Sequence, residues 1–186
     1  MNDSLSDRIR DHLGQQHRFE HCVRVAEMAS VLAAVHGEDA DRAYLGGMLH
    51  DLARLYSTDR LLSESKQRGV EIDDYARENP VVLHAPLSAQ IAHDDFGIDD
   101  DEVLSAIAKH TLAHPQMSPL DCILYLADSL EPGRTFAERE SLARLAHRNL
   151  FGATVATILS SLQYLKQSRT GAAPQTLAAL QALEHS

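Results

Sequence analysis

Apolar residues recur at helical spacing along most of the chain, with polar residues filling the opposite faces. Sustained two-residue alternation is missing and β-branched runs are few, so helices are expected and strands are not. Residues 3–14 read as a short helix ending at Gly14. A long helix is expected over 18–36, with Val25, Met28, Leu32 and Val35 at helical spacing and Gly37 as its stop. The next spans 38–55 and sets Ala43, Gly47, His50, Asp51 and Arg54 along one face. A shorter helix over 58–68 ends at Gly69, and 70–83 reads as a loop with a helical turn in it.

Further on, Pro86 suits the first turn of a helix that runs to Phe96 and stops at Gly97. Asp99 with Glu102 resembles a capping box opening a helix through Thr111. Ser118, Pro119 and Asp121 open another, which runs to Leu130 and is halted by Pro132-Gly133. Two or three helices are expected afterwards, over 137–147, 149–168 and 175–184, the last beginning after Pro174. There is no internal repeat. A chain of 186 residues patterned this way predicts one all-α, bundle-like domain over 1–186.

Composition narrows the partners. The net charge of −10 would repel a phosphate backbone, so nucleic acid is not expected as a partner. The chain has no Trp and few aromatic residues, which argues against a base-stacking surface. No apolar run is long enough for a membrane span, and the start, MNDSLSDRIRDH, lacks the apolar core of a signal peptide. Cys22 and Cys122 show no paired spacing and read as free thiols of a cytoplasmic protein.

Ionisable residues on apolar faces change the picture. His21 opens the second helix. His50 and Asp51 lie between Leu49 and Leu52 in GGMLHDLARLY. His110 is in line with Val103 and Ile107, and Asp128 in ILYLADSLE lies one turn past Leu124. A buried carboxylate or imidazole is costly unless paired or coordinated. The His-Asp dipeptide alone carries little: 11 His and 16 Asp make about one such pair expected from composition, and the chain has two. The second, His93-Asp94, is followed by Asp95 near a helix end and reads as solvated surface. His12, His17, His36, His147 and His185 also read as surface residues.

One buried histidine is commonly a satisfied core residue, but several converging in one bundle point to a metal. Imidazole suits iron, zinc, manganese or copper, and carboxylate favours harder ions and can bridge two of them. A His/Asp set without Cys is not the usual structural zinc site. Two ions across a carboxylate can activate water and clamp a phosphoryl group.

The order His21, His50-Asp51, His84, His110, Asp128 resembles the dinuclear subgroup of the HD-domain metal phosphohydrolases. The strings RFEHCVRVAEMA, LGGMLHDLAR, LHAPLSAQIA, KHTLAHPQMS and LYLADSLEPGR are similar to the bacterial YqeK-type family of symmetrical bis(5′-nucleosyl)-tetraphosphatases. The resemblance runs from about Arg18 to Arg134 and continues weakly to APQTLAAL. It implies a metal-site core over about 18–134, followed by C-terminal helices over about 137–186. It also implies that diadenosine tetraphosphate is split into two ADP. His21, His50, Asp51 and Asp128 would hold one metal. Asp51 would bridge to a second, also held by His84 and His110. Family members usually carry iron, so the implied cofactor is a pair of divalent or mixed-valence ions, iron first among them.

Arg54 stands where the family commonly has lysine. It is one helical turn from His50 and Asp51, and would assist catalysis by gripping phosphate bidentately. Arg18, Thr111 and Arg134 are further phosphate-contact candidates, and Pro174 and Thr176 form the family's Pro-x-Thr element. Ala113 replaces a typical glycine, and His114 a frequent arginine whose charge it supplies in part when protonated. The expected partner is a small dinucleoside polyphosphate, and a homodimer remains open. The alternatives are an HD phosphohydrolase of other nucleotides and a metal-stabilised module that binds a nucleotide without cleaving it.

Overall fold

The computed structural model describes residues 4–168 and 171–184. Among them there are eleven α-helices, one 3-10 segment and no strand. In chain order the helices are α1 (Leu5–Leu13), α2 (Gln16–His36), α3 (Ala40–Leu49), α4 (Thr58–Gln67), α5 (Asp74–Glu78) and, after the 3-10 turn Pro80–Leu83, α6 (His84–Phe96). Then follow α7 (Asp101–Lys109), α8 (Pro119–Leu130), α9 (Arg139–Ala146), α10 (Leu150–Gln167) and α11 (Pro174–Glu184). No described helix is long and apolar enough to cross a membrane.

The helix starts are written in short polar side chains. Ser4, Asp39, Ser57 and Asn149 each accept from a backbone N–H of the first turn. Ser118 and Asp121 close a complete capping box at α8. The expected box at Asp99 and Glu102 does not form. Asp100, one residue later, takes the N–H groups of Glu102 and Val103, while Glu102 pairs with Arg42 at 2.6 Å. Three aspartates in a row, Asp99 to Asp101, made that start ambiguous, and the capping geometry selected the middle one.

The core is built where α2, α3, α7 and α8 pack together around Val25, Leu32, Leu49, Ile107, Ile123 and Leu124. Val35, expected in the same row, is half exposed. The α2–α3 crossing is close: a Cβ at Gly47 would collide with the backbone of Ala26. That glycine lets the start of α2, carrying His21, approach the end of α3, carrying His50. The C-terminal helices α9 and α10 pack on α8, and α11 on α10.

The helix expected over 38–55 ends at Leu49, and residues 50–55 continue as turns. The cause is tertiary. Ala53 N–H bonds Ser88 Oγ of α6 at 3.0 Å, while the Leu52 carbonyl accepts from His12 Nε2 at 3.0 Å. His12 and His36 are therefore half-buried rather than free surface residues, and His36 Nε2 ties the end of α2 to the Ala146 carbonyl at 2.7 Å. His17, His93 and His147 are exposed, and His185 lies outside the described residues.

Candidate metal centre

Four imidazoles and two carboxylates meet where α2, the end of α3, the start of α6, the end of α7 and the body of α8 converge. The rings form a chain: His21 to His50 at 5.3 Å between centroids, His50 to His110 at 4.8 Å, and His110 to His84 at 5.1 Å. His50 is fully buried, and His21, Asp51, His84 and His110 are nearly so.

The local fold explains why these rings face inward. The last carbonyls of a helix lack backbone partners. His50 at the end of α3 donates Nδ1–H to the Gly47 carbonyl at 2.7 Å, and His110 at the end of α7 donates to Ile107 in the same way at 2.7 Å. His84, after the 3-10 turn, donates to Val81. Each bond uses Nδ1 and leaves the Nε2 lone pair directed at the centre, the arrangement of a ligating histidine. His21 instead bonds Glu131 through Nδ1 at 3.1 Å. The Nε2 atoms of His21 and His50 are buried and have no hydrogen-bond partner. Such atoms are costly to leave unsatisfied, and they fit a bound cation.

Asp51 divides its carboxylate between two groups of histidines. Oδ2 lies 3.4 Å from His50 Nε2 and 3.6 Å from His21 Nε2. Oδ1 lies 3.4 Å from His84 Nε2 and 4.0 Å from His110 Nε2. Asp128 Oδ1 stands 3.1 Å from His21 Nε2 and 3.8 Å from His50 Nε2. Burial opposes ionising both carboxylates, but the surrounding imidazoles outweigh it and hold both pKa values below their ordinary range. Burial pushes His110 down to about 3 and also lowers His84, keeping both neutral with free lone pairs. At His50 burial is outweighed by Asp51 and Asp128, and the pKa is raised.

Cationic groups border the set. Arg18 Nη1 donates to Asp51 Oδ2 at 2.7 Å, and Arg134 bonds both the carboxylate and the backbone carbonyl of Asp128. Arg54 is half-buried in the turn after Asp51, and its charge helps lower the pKa of His84. Thr111 Oγ1 lies 3.0 Å from His110 Nε2 and 3.2 Å from His84 Nε2. Thr176 donates its hydroxyl to the Leu112 carbonyl at 2.8 Å, beside the turn that carries Thr111, and Pro174 is exposed at the first turn of α11. Ala113 adopts a left-handed backbone, φ 59°, the conformation that favours glycine. His114 accepts from Gln116 N–H at 3.0 Å rather than reaching the centre's ligands.

The sequence reading missed Glu131. It is 2% exposed and bonds His21, Arg24 and the Gly133 N–H together. Its position three residues after Asp128, on the same helical face and just before Pro-Gly, was the available signal. His93 and Asp94, the second His-Asp pair, lie exposed and apart from the centre, with Asp94 held by Arg68 at 2.8 Å.

Two cavities border the centre and share no lining residue. One of about 360 Å³ includes Leu83, Thr111, His114 and Gln175 in its wall. The other, about 600 Å³, begins at Asp128 and Arg134.

Comparison with known proteins adds three findings. The family model of the HD domain matches residues 18–133. The chain is 34% identical over 172 residues to the symmetrical bis(5′-nucleosyl)-tetraphosphatase of Halalkalibacterium halodurans, covering 91% of this chain and 90% of that protein. It is 32% identical over 149 residues to the protein of that name from Staphylococcus aureus, covering 79% and 75%. A solved structure from Clostridium acetobutylicum, described as an HD superfamily hydrolase involved in NAD metabolism, superposes with a TM-score of 0.92 at 29% identity over 97% of this chain and 95% of that one.

Proposed function

The chain belongs to the HD-domain family, among the symmetrical bis(5′-nucleosyl)-tetraphosphatases, and on that premise we propose that it hydrolyses diadenosine tetraphosphate to two ADP at a two-metal centre. The observation that carries the reading is the division of Asp51, one oxygen toward His21 and His50 and the other toward His84 and His110. A carboxylate so placed can serve two ions. We assign the first to His21, His50, Asp51 and Asp128, and the second to Asp51, His84 and His110.

Bound ions, which we take to be iron, supply water activation and charge screening at the phosphorus. The chain's own residues do the rest. Arg54 stands on the His84 side and Arg134 on the Asp128 side, so two guanidinium groups can hold the phosphate chain from both ends of the centre. Thr111 offers a hydroxyl at the edge of the His84–His110 pair, and Arg18 neutralises Asp51. Pro174 and Thr176 brace the wall beside Thr111. Water adds to the second phosphorus, its bond to the central bridging oxygen breaks, and ADP leaves. Developing charge on the phosphoryl oxygens is met by groups already in place. The helices after 137 act with the core as one unit.

Anaerobic purification, metal analysis and product identification in oxygen-18 water test the proposal. Two ADP should form, one carrying a single label. AMP with ATP would overturn symmetrical cleavage. Binding without turnover by the fully metal-loaded protein would favour the nucleotide-binding module instead.

A further inference from the structure

The cavity beginning at Asp128 and Arg134 runs between α8, the 132–138 segment and α10. Its volume is in the range of small-molecule sites. Arg134 is the one Lys or Arg among its described lining residues, and it stands at the metal-centre end. Its wall also carries Phe136 and Tyr164, which are 39% and 68% exposed, together with Thr157, Ser160, Gln163 and the exposed Glu138. The Thr157 hydroxyl is buried without a hydrogen-bond partner.

Such a wall suits an uncharged, flat, hydrogen-bonding group better than a phosphate chain. Large rings left open in a wall that also carries serine hydroxyls and glutamine amides offer a stacking face and polar groups together. A substrate with a nucleoside at each end also needs a seat for each. The cavity at Thr111 provides space at a different part of the centre, and its wall has no Phe, Tyr or Trp. We infer that the cavity of Asp128, Phe136 and Tyr164 seats one nucleoside of the substrate, its base against Phe136 and Tyr164 and its phosphates leaving past Arg134. The inference rests on the function proposed above.

The test compares diadenosine tetraphosphate with adenosine 5′-tetraphosphate, which lacks one nucleoside. The metal-loaded wild type should favour the dinucleoside in kcat/KM. Phe136→Ala with Tyr164→Ala should cut that preference about ten-fold, the scale of a lost base stack. An unchanged preference with full turnover overturns the nucleoside seat and leaves the proposed function standing. Failure of the wild type to cleave either compound overturns the proposed function instead. A second readout does not depend on turnover. Phe136→Trp introduces the chain's one tryptophan. A methylene-bridged diadenosine tetraphosphate should quench its fluorescence saturably, and inorganic tripolyphosphate should not. No quenching by the bridged dinucleotide, or equal quenching by both, overturns the seat.

Discussion

Glu131 accepts a hydrogen bond from His21 Nδ1 at 3.1 Å, across 110 residues of sequence. The same carboxylate binds Arg24 Nε at 2.6 Å, and burial is outweighed so that its pKa falls to about 2. Glu131 is thus an anion at neutral pH that orients His21. Glu131→Ala should weaken the first metal site about 10–100-fold, the usual effect of removing such a partner. Glu131→Gln should cost less, since its amide oxygen can still accept from Nδ1. Equilibrium dialysis against the metal measures both, and wild-type affinity in the alanine variant would remove this role.

The two His-Asp pairs should part company on mutation. Asp51→Ala should abolish metal loading and turnover, because the carboxylate that faces both histidine groups is lost. Asp94→Ala should leave both near normal, because Asp94 is exposed and its partners are Arg68, Gln90 and His93. Equal metal content and activity in the two variants would sink the assignment.

His84 and His110 stand on the Oδ1 side of Asp51. His84→Ala and His110→Ala should therefore empty the second site before the first, with ions in the intact protein about 3.5–4 Å apart. Metal counting on each variant, alongside X-ray absorption on the wild type, gives the answer. Full activity with one tightly bound ion per chain would count against two.

Arg54 and Arg134 should act on the transition state. Alanine at either position should lower kcat/KM by about 2–4 kcal/mol in transition-state terms, as for other preorganised donors. Steady-state kinetics at full metal loading checks this. Wild-type efficiency in both variants would refute the phosphate clamp.

Gly47 sets the α2–α3 approach. Gly47→Ala should destabilise the fold by about 1–3 kcal/mol through overpacking and lower metal occupancy by parting His21 from His50. Denaturant melts of the metal-free chain separate the first effect from the second. An unchanged midpoint would show that the crossing can give way.

Much of the helical plan was legible from local chemistry. Gly14, Gly37 and Gly97 stop helices with positive φ, and Ser118-Pro119 with Asp121 starts one, because caps and left-handed turns depend on residues close in sequence. Five polar residues on apolar faces, His21, His50, Asp51, His110 and Asp128, were visible for the same reason, since helical period alone marks a polar side chain as inward; His84 stood out only through the family resemblance, because the 3-10 turn before it has no helical period. Other features depended on distant partners. Ser88 takes the Ala53 N–H and ends α3 early; Leu52 draws in His12, and Ala146 draws in His36. Glu131 reaches His21 only once α8 lies against α2. Sequence by itself determined that His21, His50, Asp51, His110 and Asp128 could ligate, because helical period is local. Only the tertiary structure decided that Asp51 turns one oxygen to each histidine group, because that division is set by how four helices cross.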